Sequence, residues 1–154
     1  MKVLLLTLAS VLTTTAFAAT SGTLLLKGTV PRIINLTVTA ETLAANLPLD
    51  TTQNNSKVAT VNEQSNSNTG YKVTISSANA GKLVHSTVSS SSVPYTIRYN
   101  SQSLNLASSQ SVTYSSAASV NANRNVDISY TGVPFENLIE GTYQDTVTFT
   151  IAAN

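Results

Sequence analysis

Few side chains in this chain are equipped for chemistry. Among its 154 residues there is one histidine and no cysteine. Thiolate nucleophiles, thiolate metal ligands and disulfides are therefore excluded. His85 lies in Lys82-Leu83-Val84-His85-Ser86 and alternates there like an ordinary strand residue. A catalytic base needs a nucleophile and an orienting acid held in a pocket, and the adjacent Ser86 makes no triad because adjacency fixes no geometry. The carboxylates are densest at Glu136, Glu140 and Asp145. Such oxygens suit calcium, but no EF-hand pattern accompanies them, and a solvated loop accounts for the spacing. Asp145 shares a strand face with Tyr143 and Val147, so it is expected to accept hydrogen bonds from loop amides at the rim of the fold. Tyr71, Tyr95, Tyr99, Tyr130 and Tyr143 fall at inward positions of predicted strands. They read either as core with the hydroxyl at the rim or as an aromatic platform for a sugar. The expectation from this inventory is no enzyme, no cofactor and no metal.

The elements that carry these residues are strands. In Gly141–Asn154, Tyr143, Val147, Phe149, Ile151 and Ala153 share one face, and Thr142, Gln144, Thr146, Thr148 and Thr150 the other. A period of two with β-branched residues predicts one half-buried strand, which at about 3.3 Å per residue would reach roughly 40 Å. The sequence stops on it, so its second edge is expected to await a partner. Gly22–Val30 alternates through Leu24, Leu26, Gly28 and Val30 before Pro31 interrupts the ladder. Further strands are predicted at Ile34–Val38, Lys57–Val61, Tyr71–Ser76, Lys82–Thr87, Tyr95–Tyr99 and Val126–Tyr130. Asn79-Ala80-Gly81 forms a hairpin turn, and Glu41–Leu47 is at most a short helical turn. Ala107–Asn123 is rich in Ser, Ala and Asn and reads as a long loop with one short strand around Val112–Tyr114. About seven to nine strands without a convincing helix predict an antiparallel β-sandwich.

Met1-Lys2, the apolar run Val3–Leu12 and Ala16-Phe17-Ala18 together read as a secretory signal peptide over residues 1–18. That leaves one domain, 19–154, secreted through the periplasm to the cell surface or medium. No other apolar stretch approaches the roughly 20 residues of a membrane span. Without Lys2, seven basic residues face seven acidic ones, so no basic patch is available for nucleic acid.

Gly141-Thr142-Tyr143-Gln144-Asp145-Thr146-Val147-Thr148-Phe149-Thr150-Ile151 resembles the last strand of secreted spore coat protein U-type domains, which group with pilin-like subunits of the chaperone–usher route. Gly22–Val30 resembles the first strand of fimbrial pilins, and Gly70–Ile75 and Tyr95–Asn100 stand in the family's order. The resemblance implies an all-β, immunoglobulin-like (pilin-type) sandwich lacking one strand. A periplasmic chaperone and then another pilin-like subunit would fill the gap, with an usher handling export. By the same resemblance Val147, Phe149 and Ile151 floor the groove below Tyr143, facing Leu24 and Leu26. If Gly22–Val30 is instead the donated strand, with Gly28 as the small residue of its apolar face, the domain's first strand begins near Ile33. Three departures stand out: the family's cysteine pair is missing, the chain ends Ala152-Ala153-Asn154 where many pilins carry a tyrosine, and only Ala19-Thr20-Ser21 would precede Gly22 after cleavage. The reading from another class is a monomeric secreted sandwich that binds carbohydrate as an adhesin, using Tyr and Asn in loops such as Ala107–Asn123.

Overall fold

Alternation writes itself into sheets wherever one face can be buried. In the computed structural model, which describes residues 20–154, this produces eleven strands and two short helical turns among the described residues. The signal-peptide reading of residues 1–18 lies outside them. Five strands form one antiparallel sheet in the order β1 (Ile34–Ala40), β2 (Gln53–Ser65), β9 (Val120–Tyr130), β6 (Thr96–Tyr99), β7 (Gln102–Leu104). A second sheet has the order β11 (Val147–Ala153), β3 (Tyr71–Ser77), β8 (Gln110–Tyr114). A third has β10 (Tyr143–Gln144), β4 (Lys82–His85), β5 (Ser92–Pro94). Every pairing is antiparallel. The helical turns are α1 (Thr42–Ala45) and a 3₁₀ turn at Phe135–Asn137. The fold is an all-β antiparallel sandwich, and all of its strands lie in one compact unit, Pro31–Asn154.

The core is drawn from the inward positions of both layers. Val61, Val73, Ile75, Val93, Tyr99 and Leu106 are its most completely enclosed members. On β2 the pairing with β9 shifts by a residue between Lys57 and Ala59, so Val58 and Ala59 are both buried before alternation resumes at Val61. Such a bulge lets two neighbours of one strand face inward. The β3–β4 turn places Ala80 at φ 53 and Gly81 at φ 75, the left-handed pair that a tight hairpin needs.

Several strand expectations are met, and four need correction. No strand covers Gly22–Val30; the first is β1, starting at Ile34. The last stretch is not one strand, because Asp145-Thr146 breaks it into β10, which pairs with β4, and β11, which pairs with β3. The strand expected over Lys57–Val61 extends at both ends into β2, which is 13 residues long. The short strand expected around Val112–Tyr114 is β8, but the loop expected over the rest of Ala107–Asn123 also gives up Val120–Asn123 to β9. Its inward positions on β9 are Val120, Ala122 and Arg124, too weakly apolar to announce a strand, and Arg124 is held there by an ion pair.

Candidate functional site: an open groove between two strand edges

Six of the described strands end a sheet, namely β1, β7, β10, β5, β11 and β8, and two of these edges, β1 and β11, lie beside each other. β1 pairs only with β2, and β11 only with β3. An edge strand leaves every second N–H and C=O without a ladder partner. The two edges are close neighbours that share no ladder. Ile34 pairs with Ser65 and Ala153 with Tyr71, at the two ends of the turn joining β2 to β3, so β1 and β11 run in opposite senses. Some of their Cα atoms approach within 8 Å. Two strand spacings need roughly 9.5 Å, so a strand entering here must part the edges.

The space between them is apolar. A cleft of about 210 Å³ is walled by Val38 and Ala40 from β1, by Val147 and Phe149 from β11, and by Leu47 and Leu83 at one end, over a floor that includes Ile97 and Ile128. Val38 is 45% exposed, while Val147, Phe149 and Ile151 are half-buried although they belong to the inward face of β11. Phe149 reaches through to Tyr99, with ring centroids 5.7 Å apart. These are core-type side chains left partly uncovered beside a backbone edge with no ladder partner.

Among the residues predicted for the groove, Val147, Phe149 and Ile151 lie on the inward face of β11, and the first two line the cleft. Their counterparts across it are Val38 and Ala40 rather than Leu24 and Leu26. Leu24, Leu25, Leu26 and Val30 stand more than 80% exposed, in a segment that carries no strand and includes Gly28. Tyr143 sits beyond the break at Asp145, edge-on to His85 with centroids 5.1 Å apart. Its hydroxyl bonds to Ser91 Oγ at 2.6 Å and to the backbone of Ile139. Val38 and Ala40 were passed over because the resemblance assigned the first strand of the groove to Gly22–Val30; the available signal was the unbroken alternation of Ile34, Leu36, Val38 and Ala40 with Asn35, Thr37 and Thr39.

Asp145 holds the end of the groove. Asn79 N–H donates to Oδ1 at 3.0 Å and Thr146 N–H at 2.7 Å. The Ser77 and Tyr95 hydroxyls donate to Oδ2, Tyr95 at 2.6 Å. The expected loop amide is present, joined by two hydroxyls. Burial, and then the bond to Asp145, raises the Tyr95 phenol well above its ordinary range. By tying β10 to the β3–β4 turn, Asp145 lets the last stretch change partners without orphaning its backbone.

The other chemistry-bearing residues are engaged in structure. His85 is 6% exposed. Thr87 and Val88 N–H donate to its Nδ1 at 3.2 and 3.1 Å, which assigns the proton to Nε2, 2.9 Å from the Glu140 carbonyl. Tyr71 and Tyr99 direct their hydroxyls onto Glu63, and Tyr130 donates to the Pro48 carbonyl at 3.1 Å. A wider cleft of about 500 Å³ with a mixed lining runs past Thr52, Lys82, Asn105 and Thr131. Tyr95 and Tyr130 border it with their rings buried, so they form no exposed aromatic platform there. No protein-family model matches the chain, and neither does any curated protein.

Proposed function

We propose that this protein is a secreted structural subunit of a bacterial surface fibre or coat, and that its β1–β11 groove is completed by a strand from outside the fold. The observation that carries the reading is the pairing of need and supply within one sequence. Two unpaired edges flank an apolar cleft, and the exposed segment Gly22–Val30 has the pattern of a strand that wants to be buried. The occupant we assign in the assembled state is residues 22–30 of a second copy. Leu24, Leu26 and Val30 would enter the cleft, and Gly28 would leave room where the floor approaches the backbone. Sheathing three such side chains is worth roughly 5–9 kcal/mol in gross terms, before the ladder bonds gained on both sides.

A groove of this kind left empty invites aggregation, which is the physical reason to place a periplasmic chaperone and an usher on the export path. An immunoglobulin-like, pilin-type topology is part of the same proposal, and so is the cell surface as destination. The test is electrophoretic. Unheated samples in SDS should run as a ladder that collapses to a single band on boiling, because dissociation of an inserted strand is kinetically blocked. A single band at monomer mass without heating, together with one sharp monomer peak in solution, rejects the reading.

A further inference from the structure

A segment that fits a groove of its own kind could also fill the groove of its own molecule. Pro31-Arg32-Ile33 separates Gly22–Val30 from β1. A reversal within those three residues would lay the segment along the free side of β1 as a hairpin. Three hydrogen bonds from one residue hold the link otherwise. Ile33 N–H donates to Asn66 Oδ1 at 2.6 Å, Asn66 Nδ2–H donates to the Pro31 carbonyl at 2.9 Å, and Asn66 N–H donates to the Ile33 carbonyl at 3.1 Å. Asn66 directly follows Ser65, the partner of Ile34 in the β1–β2 ladder. These bonds therefore extend that ladder past the end of β1 and keep Pro31–Ile33 on the β2 side. Proline in the link also supplies no N–H for a hairpin ladder.

We propose that Asn66 is a positioning residue that makes strand donation intermolecular. By holding the link in line with β1, it denies Gly22–Val30 the groove of its own chain and leaves that groove for a second copy. This rests on the groove reading above, and the experiment separates the two. In the full chain, Pro31→Asn with Arg32→Gly installs a turn-forming pair at the link, and Asn66→Ala added to it releases the clamp. The double variant should still form the heat-labile ladder. The triple variant should run as a monomer with Gly22–Val30 resistant to protease. Asn66→Asp, which keeps an acceptor for Ile33 but turns an oxygen toward the Pro31 carbonyl, should by itself raise the monomer fraction about tenfold through the lost bond. It also decides the matter if the triple variant does not fold. A triple variant that polymerises like the parent, a double variant already monomeric, or an Asn66→Asp chain with an unchanged monomer fraction overturns the role of Asn66. The groove itself is checked apart from Asn66, in a full chain carrying Leu24→Asp and Leu26→Asp and offered a synthetic peptide of residues 20–33. Saturable binding upholds the groove whatever Asn66 does; absence of binding removes both proposals.

Discussion

Two regions of the sandwich treat exposed bonding capacity in opposite ways. Between β2 and β9, Glu63 is fully buried, yet every direction around it is used. The Tyr71 hydroxyl donates to it at 2.8 Å, Arg124 Nε–H donates at 3.0 Å, and the Tyr99 hydroxyl also bonds to it. Arg124 in turn lies over the Tyr114 ring, 5.3 Å from its centroid, and Tyr114 stacks on Tyr71 at 4.7 Å. Outside that cluster, Asn62 Nδ2–H donates to the side-chain carbonyls of both Asn121 and Asn123. Between β1 and β11 the side chains are apolar and the backbone edges unpaired. The first region is closed by polar groups that satisfy one another, and the second leaves apolar groups only partly covered between two edges that share no ladder. Stability should therefore concentrate around Glu63, and association along β1 and β11.

The largest effect that would break this contrast comes from Glu63→Ala. It strands Arg124 and two phenols in the interior and should cost about 3–5 kcal/mol in urea unfolding. A loss below 1 kcal/mol would mean the cluster is incidental. Next is Asp145→Ala, which frees the Asn79 N–H and the Ser77 and Tyr95 hydroxyls and is expected to cost about 2–3 kcal/mol, read by the same titration. Smaller for the fold but decisive for the groove is Val38→Lys. At a site already half in solvent, the monomer's stability should move by no more than about 0.5 kcal/mol, while the SDS ladder disappears. A ladder that survives a lysine in the cleft wall would place the association surface elsewhere.

The gentlest probe is alkaline titration. Burial first, and the bond to Glu63 second, push the Tyr71 phenol up to about 12 from a model-compound value of 10.0. Tyr99 and Tyr114 are raised in the same direction, again chiefly by burial. An acid whose folded pKa is raised contributes stability that is complete below its unfolded pKa and is lost as pH rises through the folded one. Resistance to urea should be flat up to about pH 10 and then fall toward pH 12. Ionisation of Tyr71, Tyr99 and Tyr114 at pH 10 with the sandwich still folded would contradict the enclosure of these rings.

Much of the fold was legible because alternation with a buried face leaves little choice: Tyr71–Ser76, Tyr95–Tyr99 and Val126–Tyr130 are strands where expected. What stayed hidden has physical causes. Glu63 and Arg124 occupy inward positions, so polarity disguised the interior of β2 and β9. The break at Asp145 was invisible because the period of two continues through it; only the odd carboxylate on the apolar face marked the place. Gly22–Val30 alternates except at Leu25 and forms no strand in this structure. Alternation reports that a segment needs a sheet, not that its own fold provides one. The groove was half legible: Val147, Phe149 and Ile151 were found from β11, while Val38 and Ala40 were missed through the misplaced first strand.

Hydrogen exchange on the assembled chain, set beside the monomeric Leu24→Asp, Leu26→Asp variant, tests the central claim most directly. The account predicts that assembly slows the amides on the free sides of β1 and β11 and those of Gly22–Val30 together, with little change around Glu63. Protection that appears elsewhere, with the β1 and β11 edges exchanging as fast as in the monomer, would contradict it.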